Sequence, residues 1–260
     1  IVMAKPRSQQ ISLIDTPYYH ICSRTVRKAF LCGIDKETGM SYEHRRTWIE
    51  QRIFQLQRVF SIDICAHAVM HNHLHLVLHV DSEQVKGWST VEVLTRWHQL
   101  FKGTLLTQEY CNKQPLDKFR LAIVESTAEI YKQRLIDISW FMRSLNEPIA
   151  RQANREDKCI GHFWEGRFKS QALLDEGALL SCMAYVDLNP VRNAIAPTPE
   201  QSAFTSIQLR IKAAIKGAQP SALLPFIGSE HQDKVTGIRF SLQDYLQLVD
   251  GTGRIIRDDK

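Results

Sequence analysis

No C-x-x-C pair occurs in this 260-residue chain, although it contains six cysteines. A zinc knuckle or ribbon is therefore not expected. The six (Cys22, Cys32, Cys65, Cys111, Cys159 and Cys182) are scattered, which suits reduced thiols better than a disulfide framework. No run reaches the ~18 apolar residues of a membrane-spanning helix. No opening segment has the pattern of a secretory signal, so the expectation is a cytoplasmic protein without a membrane partner. Internal repeats and low-complexity tracts are also lacking. Charge of neither sign is in large excess: 33 Lys and Arg stand against 28 Asp and Glu, a formal net charge of +5. That mildly basic balance fits contact with nucleic acid or another anionic surface, and it fits simple solubility equally well.

What is present is an ordinary globular composition, 44% hydrophobic and 23% charged. The length allows one large domain, or one domain with an appendage. Within it lies His71-Asn72-His73-Leu74-His75-Leu76-Val77-Leu78-His79. Alternate side chains of a strand share a face. His71, His73, His75 and His79 are then expected on one side, and Leu74, Leu76 and Leu78 on the core side. His73 and His75, two residues apart, can hold one divalent ion from such a platform. A histidine is more often a surface or satisfied core residue, so the pair needs partners.

Ile1 and Val2, before Met3, are set aside, and residues 3–16 read as a loose polar segment. Tyr18 to Cys22 reads as a first strand, running into the basic segment Ser23 to Lys28, where Arg24, Arg27 and Lys28 can meet phosphates. An exposed basic loop is the equal alternative. Ile49, Ile53, Leu56 and Phe60 predict an amphipathic helix over 42–60, with Arg45, Arg46, Glu50 and Arg58 off its apolar stripe. A strand is expected over 61–70, turning at His71-Asn72 into the histidine strand. A capping box at Ser89 to Glu92 opens a helix with Val93, Leu94, Trp97, Phe101 and Leu105 on one face. A second at Ser126 to Glu129 opens another through Tyr131, Leu135, Ile138, Met142 and Leu145, bent or interrupted at Pro148. Between them the pattern over 107–125 assigns no element.

Gly161 to Ser170 interleaves aromatics, bases and glycines. Phe163 and Trp164 can stack on unpaired bases, and Arg167 and Lys169 can neutralise phosphate. Core aromatics at a strand entry are the ordinary alternative. A strand over 170–174 and a helix capped by Asp175 follow. Tyr185 and Asn189 are four residues apart and share a side of that helix, with Pro190 placing Asn189 at its end. A helical tyrosine is normally a packing residue. Beyond 198 the chain reads as an extension packed on the main domain, with helices near 202–216 and 241–250.

Taken together, these blocks resemble the tyrosine transposases of the HUH endonuclease superfamily, and most closely the REP-associated branch. Met70-His71-Asn72-His73-Leu74-His75-Leu76 resembles its His-hydrophobic-His motif, and Tyr185 to Arg192 its Tyr-x-x-x-Asn-Pro-x-Arg block. The block from Phe163 to Ser170 and the opening strand from Tyr19 to Arg24 are similar to the family's in the same order. Two departures stand out: His71 occupies a position where many members have proline, and the stretch 81–158 is long for a minimal member.

The resemblance implies an α/β (α+β) fold, an antiparallel sheet with packed helices in a ferredoxin-like or RRM-like core with added helices. It implies a nuclease domain over 3–197, with a helical insertion about 81–158, and a C-terminal extension over 198–260. It further implies a metal-dependent single-stranded DNA endonuclease and strand transferase, nucleoid-associated, acting near hairpins. Tyr185 would be the nucleophile, forming a 5′-phosphotyrosine, and His73, His75 and Asn189 would hold Mg²⁺ or Mn²⁺. Arg24, Arg27, Lys28, Phe163, Trp164, Arg167, Lys169 and Arg192 would meet the DNA. Monomer and homodimer both remain open. Three other readings stand beside this one: a non-cleaving DNA-binding regulator descended from a transposase, a metal hydrolase using water, and a structural metal site.

Overall fold

The histidine alternation is built as the third of four strands. The computed structural model describes residues 11–26, 29–228 and 236–258. Strand β1 (Tyr18–Arg24) leads through helix α1 (His44–Val59) to β2 (Ile62–Val69) and β3 (His73–Val80). Four helices follow: α2 (Thr90–His98), α3 (Leu105–Cys111), α4 (Lys118–Arg134) and α5 (Ile138–Glu156). The short β4 (Lys169–Ala172) completes the sheet, and α6 (Glu176–Arg192), α7 (Ser206–Ala214) and α8 (Leu242–Asp258) close the chain. The sheet is antiparallel in the order β2-β3-β1-β4. A β-α-β-β-α-β unit wound in that order is ferredoxin-like, as expected. None of the helices is long and apolar enough to cross a membrane, among the described residues.

The two faces of β3 part as their alternation requires. Leu74, Leu76, Leu78 and Val80 join a core built with Ile49, Ile53 and Leu56 of α1 and Phe141, Met142 and Leu145 of α5. Val77 points the other way, into a second core with Met183, Val186 and Leu188 of α6, Ile207 of α7 and Tyr245 of α8. The candidate histidines thus share the α6 face. On the first face, α5 packs on α1 as the second helix of the β-α-β-β-α-β unit. The additions between β3 and β4 are therefore α2, α3 and α4. Trp97 of α2 binds them, stacking on Tyr131 of α4 at 4.3 Å and meeting Trp140 of α5 at 5.5 Å.

Several element boundaries depart from the sequence expectation. Helix α2 stops at His98, and Phe101 and Leu105 do not continue it. Gly103 has φ +70°, and a Cβ there would lie 2.4 Å from His98 Nε2, so the chain turns before Thr104 caps α3. Ser126 and Thr127 do not open a helix. Asp117 caps α4, and both hydroxyls donate to the Ile123 carbonyl from mid-helix. Helix α5 runs unbroken through Pro148. Proline leaves the carbonyl of residue i−4 without its donor, and Arg52 Nε supplies one to Ser144 O at 3.0 Å. Arg45 and Arg46, expected outside the apolar stripe of α1, are buried. Arg45 pairs with Glu156 and donates to Phe30 O, while Arg46 pairs with Glu43 and donates to Val69 O.

The region beyond 198 is integral to the second core. A bulge at Cys65 shifts the register of β2 between Ile64 and Ala66, and Arg210 of α7 donates to the Cys65 carbonyl at 2.8 Å. Along the outer edge of β2, Leu224 N donates to Ile64 O, and Thr205 bridges Ala68. That edge is covered, whereas β4 forms the opposite edge.

Candidate functional site

The register of β1 against β3 sets Arg24 opposite His73 and Cys22 opposite His75. Cross-strand partners point to the same face, so Arg24, Cys22 and His20 share the surface of the two histidines. Lys169 pairs with Cys22 and Gln171 with His20, extending that face across β4. His71 does not belong to it. It lies in the turn before β3, where its carbonyl accepts from Leu31 N and Cys32 N and its ring rests against Gly33. His79 is on this face but at the far end of the strand, paired with Asp63 at 3.1 Å.

Helix α6 lays its chemistry-bearing side over the pair. Asp175 caps it through Ala178 N at 2.7 Å. The helix continues through Asn189 and Pro190 to Arg192, so Asn189 stands inside it and not at its end. The Tyr185 ring lies 5.8 Å from that of His75 and 6.4 Å from that of His20. Tyr185 is 40% exposed. Arg192 sits with Cζ 5.3 Å from the Tyr185 ring centre. Tyrosine, imidazoles and arginine of one chain thus meet in one place.

Hydrogen bonds orient both rings. His73 Nδ1 is 2.7 Å from Asn72 Oδ1, and only a protonated Nδ1 can donate there, which leaves Nε2 as a lone pair. His75 Nδ1 is 2.9 Å from His20 Nε2, and His75 Nε2 is 3.4 Å from the amide nitrogen of Asn189. The Asn189 oxygen is turned away and accepts from Asn193 Nδ2 at 2.8 Å. Asn189 therefore presents nitrogen, not the oxygen a cation needs, until its amide rotates. Burial, then Arg24 and His71, lowers the His73 pKa to about 4. Burial, then His73, His20 and Arg24, lowers that of His75 to about 3. Both imidazoles are neutral near pH 7, the form that binds metal.

The donor set fits a divalent ion, since two ring lone pairs on one face stand beside an amide that can turn its oxygen inward. Among the described residues, no three His, Cys, Asp or Glu side chains group as a metal cage. Any ion here would thus be held by two imidazoles, Asn189 and groups from outside the protein.

Beside His73, a cleft of about 640 Å³ is lined by Arg24, His71, Asn72, Glu165 and Asn193, among others. A second, of about 280 Å³, lies between Arg24, Arg167 and Lys169 near β4. Arg24, Arg167 and Lys169 are exposed around these openings, and Arg192 is exposed beside Tyr185. Phe163 and Trp164 do not join them as expected. Phe163 is 3% exposed within the first core, and Trp164 Nε1 donates to Asn146 O at 2.8 Å. The buried Phe163 ring offers no free face for a base, whereas Trp164 is partly exposed. Arg27 and Lys28 lie outside the described residues.

No family model matches the chain, and no curated protein matches it. Among solved structures it is similar to a REP-associated tyrosine transposase bound to a REP hairpin. That similarity extends over 92% of this chain and 100% of the other, at 13% identity and a TM-score of 0.46. Identity and score are both low, so the functional reading rests on the side chains of this chain.

The sequence reading missed His20, Asn193 and Asp187. Asp187 is fully buried on the far side of α6, where Oδ2 accepts from Tyr245 Oη at 2.6 Å and Oδ1 from Ser206 Oγ and Ile207 N. Burial raises its pKa. The signal for it was positional: on a helix presenting Tyr185 and Asn189 to the histidine face of the sheet, the residue midway between them points to the opposite side.

Proposed function

We propose that this protein cleaves and rejoins single-stranded DNA, with Tyr185 as the nucleophile and His73, His75 and Asn189 as ligands for Mg²⁺ or Mn²⁺. The observation that carries the reading is the placement of the half-exposed Tyr185 ring 5.8 Å from His75, within one chain, beside two oriented imidazoles. The motif resemblance and the exposed bases Arg24, Arg167, Lys169 and Arg192 support DNA as the substrate. Its REP-associated branch points to strands that carry a hairpin.

A divalent ion bound there supplies positive charge that polarises the scissile phosphate. The protein's part is to aim and to bind. Tyr185 Oη bonds to phosphorus as the bond to the 3′ oxygen breaks. The phenolic proton leaves, the 3′ oxygen gains one, and a 5′-phosphotyrosine remains. The freed 3′-hydroxyl can reverse the exchange, so rejoining needs no external energy source. Arg192, over the tyrosine ring, and Arg24, opposite His73, add charge where the phosphate would sit.

The test is a denaturing gel of the protein with labelled hairpin-bearing DNA and Mn²⁺. A covalent adduct is expected with the native chain, and its loss with Tyr185→Phe, while binding of the same DNA persists. Cleavage without an adduct would identify water as the nucleophile, and binding without any cleavage would identify a regulator.

A further inference from the structure

His20 has no place in the reading so far, yet its ring is the direct partner of a candidate ligand. Its Nε2 lies 2.9 Å from His75 Nδ1, and the two rings stack at 5.1 Å between centres. One of these nitrogens must carry the proton. If His20 donated, His75 would be protonated at Nε2, facing the Asn189 amide nitrogen at 3.4 Å. Two donors would then confront each other. If His75 donates, its Nε2 is a lone pair and accepts from Asn189. Asn193 selects this second arrangement by donating to the Asn189 oxygen at 2.8 Å, which turns the amide nitrogen toward His75. The chain of donors then runs from Asn193 through Asn189 to His75 Nε2, and from His75 Nδ1 to His20.

We propose that His20 is a positioning residue that holds His75 as the Nδ1–H tautomer, keeping Nε2 a lone pair that a divalent cation can take once the Asn189 amide rotates away. The cation's place rests on the function proposed above, whereas the tautomer does not. His20 reaches this position through strand geometry. It lies on β1 two residues before Cys22, the cross-strand partner of His75, and on the same face. Asn72 does the same for His73 from the turn. Each candidate ligand thus has its own acceptor, one a histidine and one an amide. Such outer partners change metal affinity by roughly 10- to 100-fold when removed.

The experiment uses the full chain with Mn²⁺ alone as the probe. Imidazole ¹⁵N signals of the metal-free protein report which nitrogen of His75 is protonated. Calorimetric titration reports Mn²⁺ affinity. Wild type is expected to show His75 protonated at Nδ1. His20→Phe keeps a ring but no acceptor, so only the longer Asn189 contact at 3.4 Å is left to set the tautomer, and the variant should weaken that preference and weaken Mn²⁺ by roughly 10-fold or more. His20→Gln restores an acceptor and should recover both, which separates positioning from mere packing. A wild-type His75 protonated at Nε2 overturns the proposal, and so does a His20→Phe variant that binds Mn²⁺ as tightly as wild type. A wild type that binds no Mn²⁺ overturns the metal reading instead, and the nitrogen signals still decide the role of His20.

Discussion

Burial fixes the charge of His73 and His75 before any ion arrives. With folded pKa values of about 4 and about 3, against 6.5 for an ordinary histidine, both favour the neutral ring in the fold. The unfolded chain then binds more protons across that interval. Stability owed to the two rings is complete above about pH 6.5 and declines as pH falls toward about 4 for His73 and about 3 for His75. Denaturant titrations at about pH 6.5 and about pH 4 should show a smaller loss for a His73→Ala, His75→Ala double variant than for the native chain. Equal losses would place both rings in water. The pair itself was legible because a period of two is the strongest local signal a strand offers. The orientation of the Asn189 amide was not, since it depends on Asn193 one turn on. His20 was hidden for another reason: its partner is 55 residues away, and only strand order brings them together.

At the scale of elements, proline shows where local rules yield to tertiary contacts. The sequence expectation bends or breaks a helix at Pro148, yet α5 passes through because Arg52 of α1 donates to Ser144 O. Arg52→Met should cost about 1–3 kcal/mol by leaving that carbonyl without a donor. In a Pro148→Ala background the backbone N–H returns, and the same substitution should cost measurably less. Chemical denaturation of the four proteins measures the coupling, and additive costs would show that Arg52 acts elsewhere. Gly103 and the Ser126-Thr127 pair carry the same lesson with opposite sign. The helix that hydrophobic spacing extended to Leu105 closed at His98, and the chain turned at left-handed Gly103 before a new cap. A good capping pattern sat idle inside a helix that Asp117 had already opened. Hydrophobic spacing locates a face reliably and a terminus poorly, because termini depend on which competing cap is used.

At the scale of the molecule, the antiparallel sheet and packed helices follow from strand alternation and element order, both readable in sequence. That the region after 198 packs on the main domain was also readable, but not which groups of β2 and α6 it meets, because those contacts are set by distant parts of the chain. Leu224, Arg210, Ser206 and Tyr245 satisfy backbone and side-chain groups of β2 and α6 that would otherwise face solvent or go unmet. A chain ending at residue 197 should therefore lack cooperative thermal unfolding by circular dichroism. A sharp transition near that of the full chain would mean that residues 3–197 fold without it. Helix α6 itself has two sides with different duties. Asp187 is bolted to α7 and α8, while Tyr185 and Asn189, two residues either way, face His75. Lending this helix to a neighbour would part that buried carboxylate from its donors unless α7 and α8 moved with it. Under the proposed chemistry the phenol and the imidazoles of one copy already stand together, so nicking of a hairpin strand is the outcome expected of a single molecule.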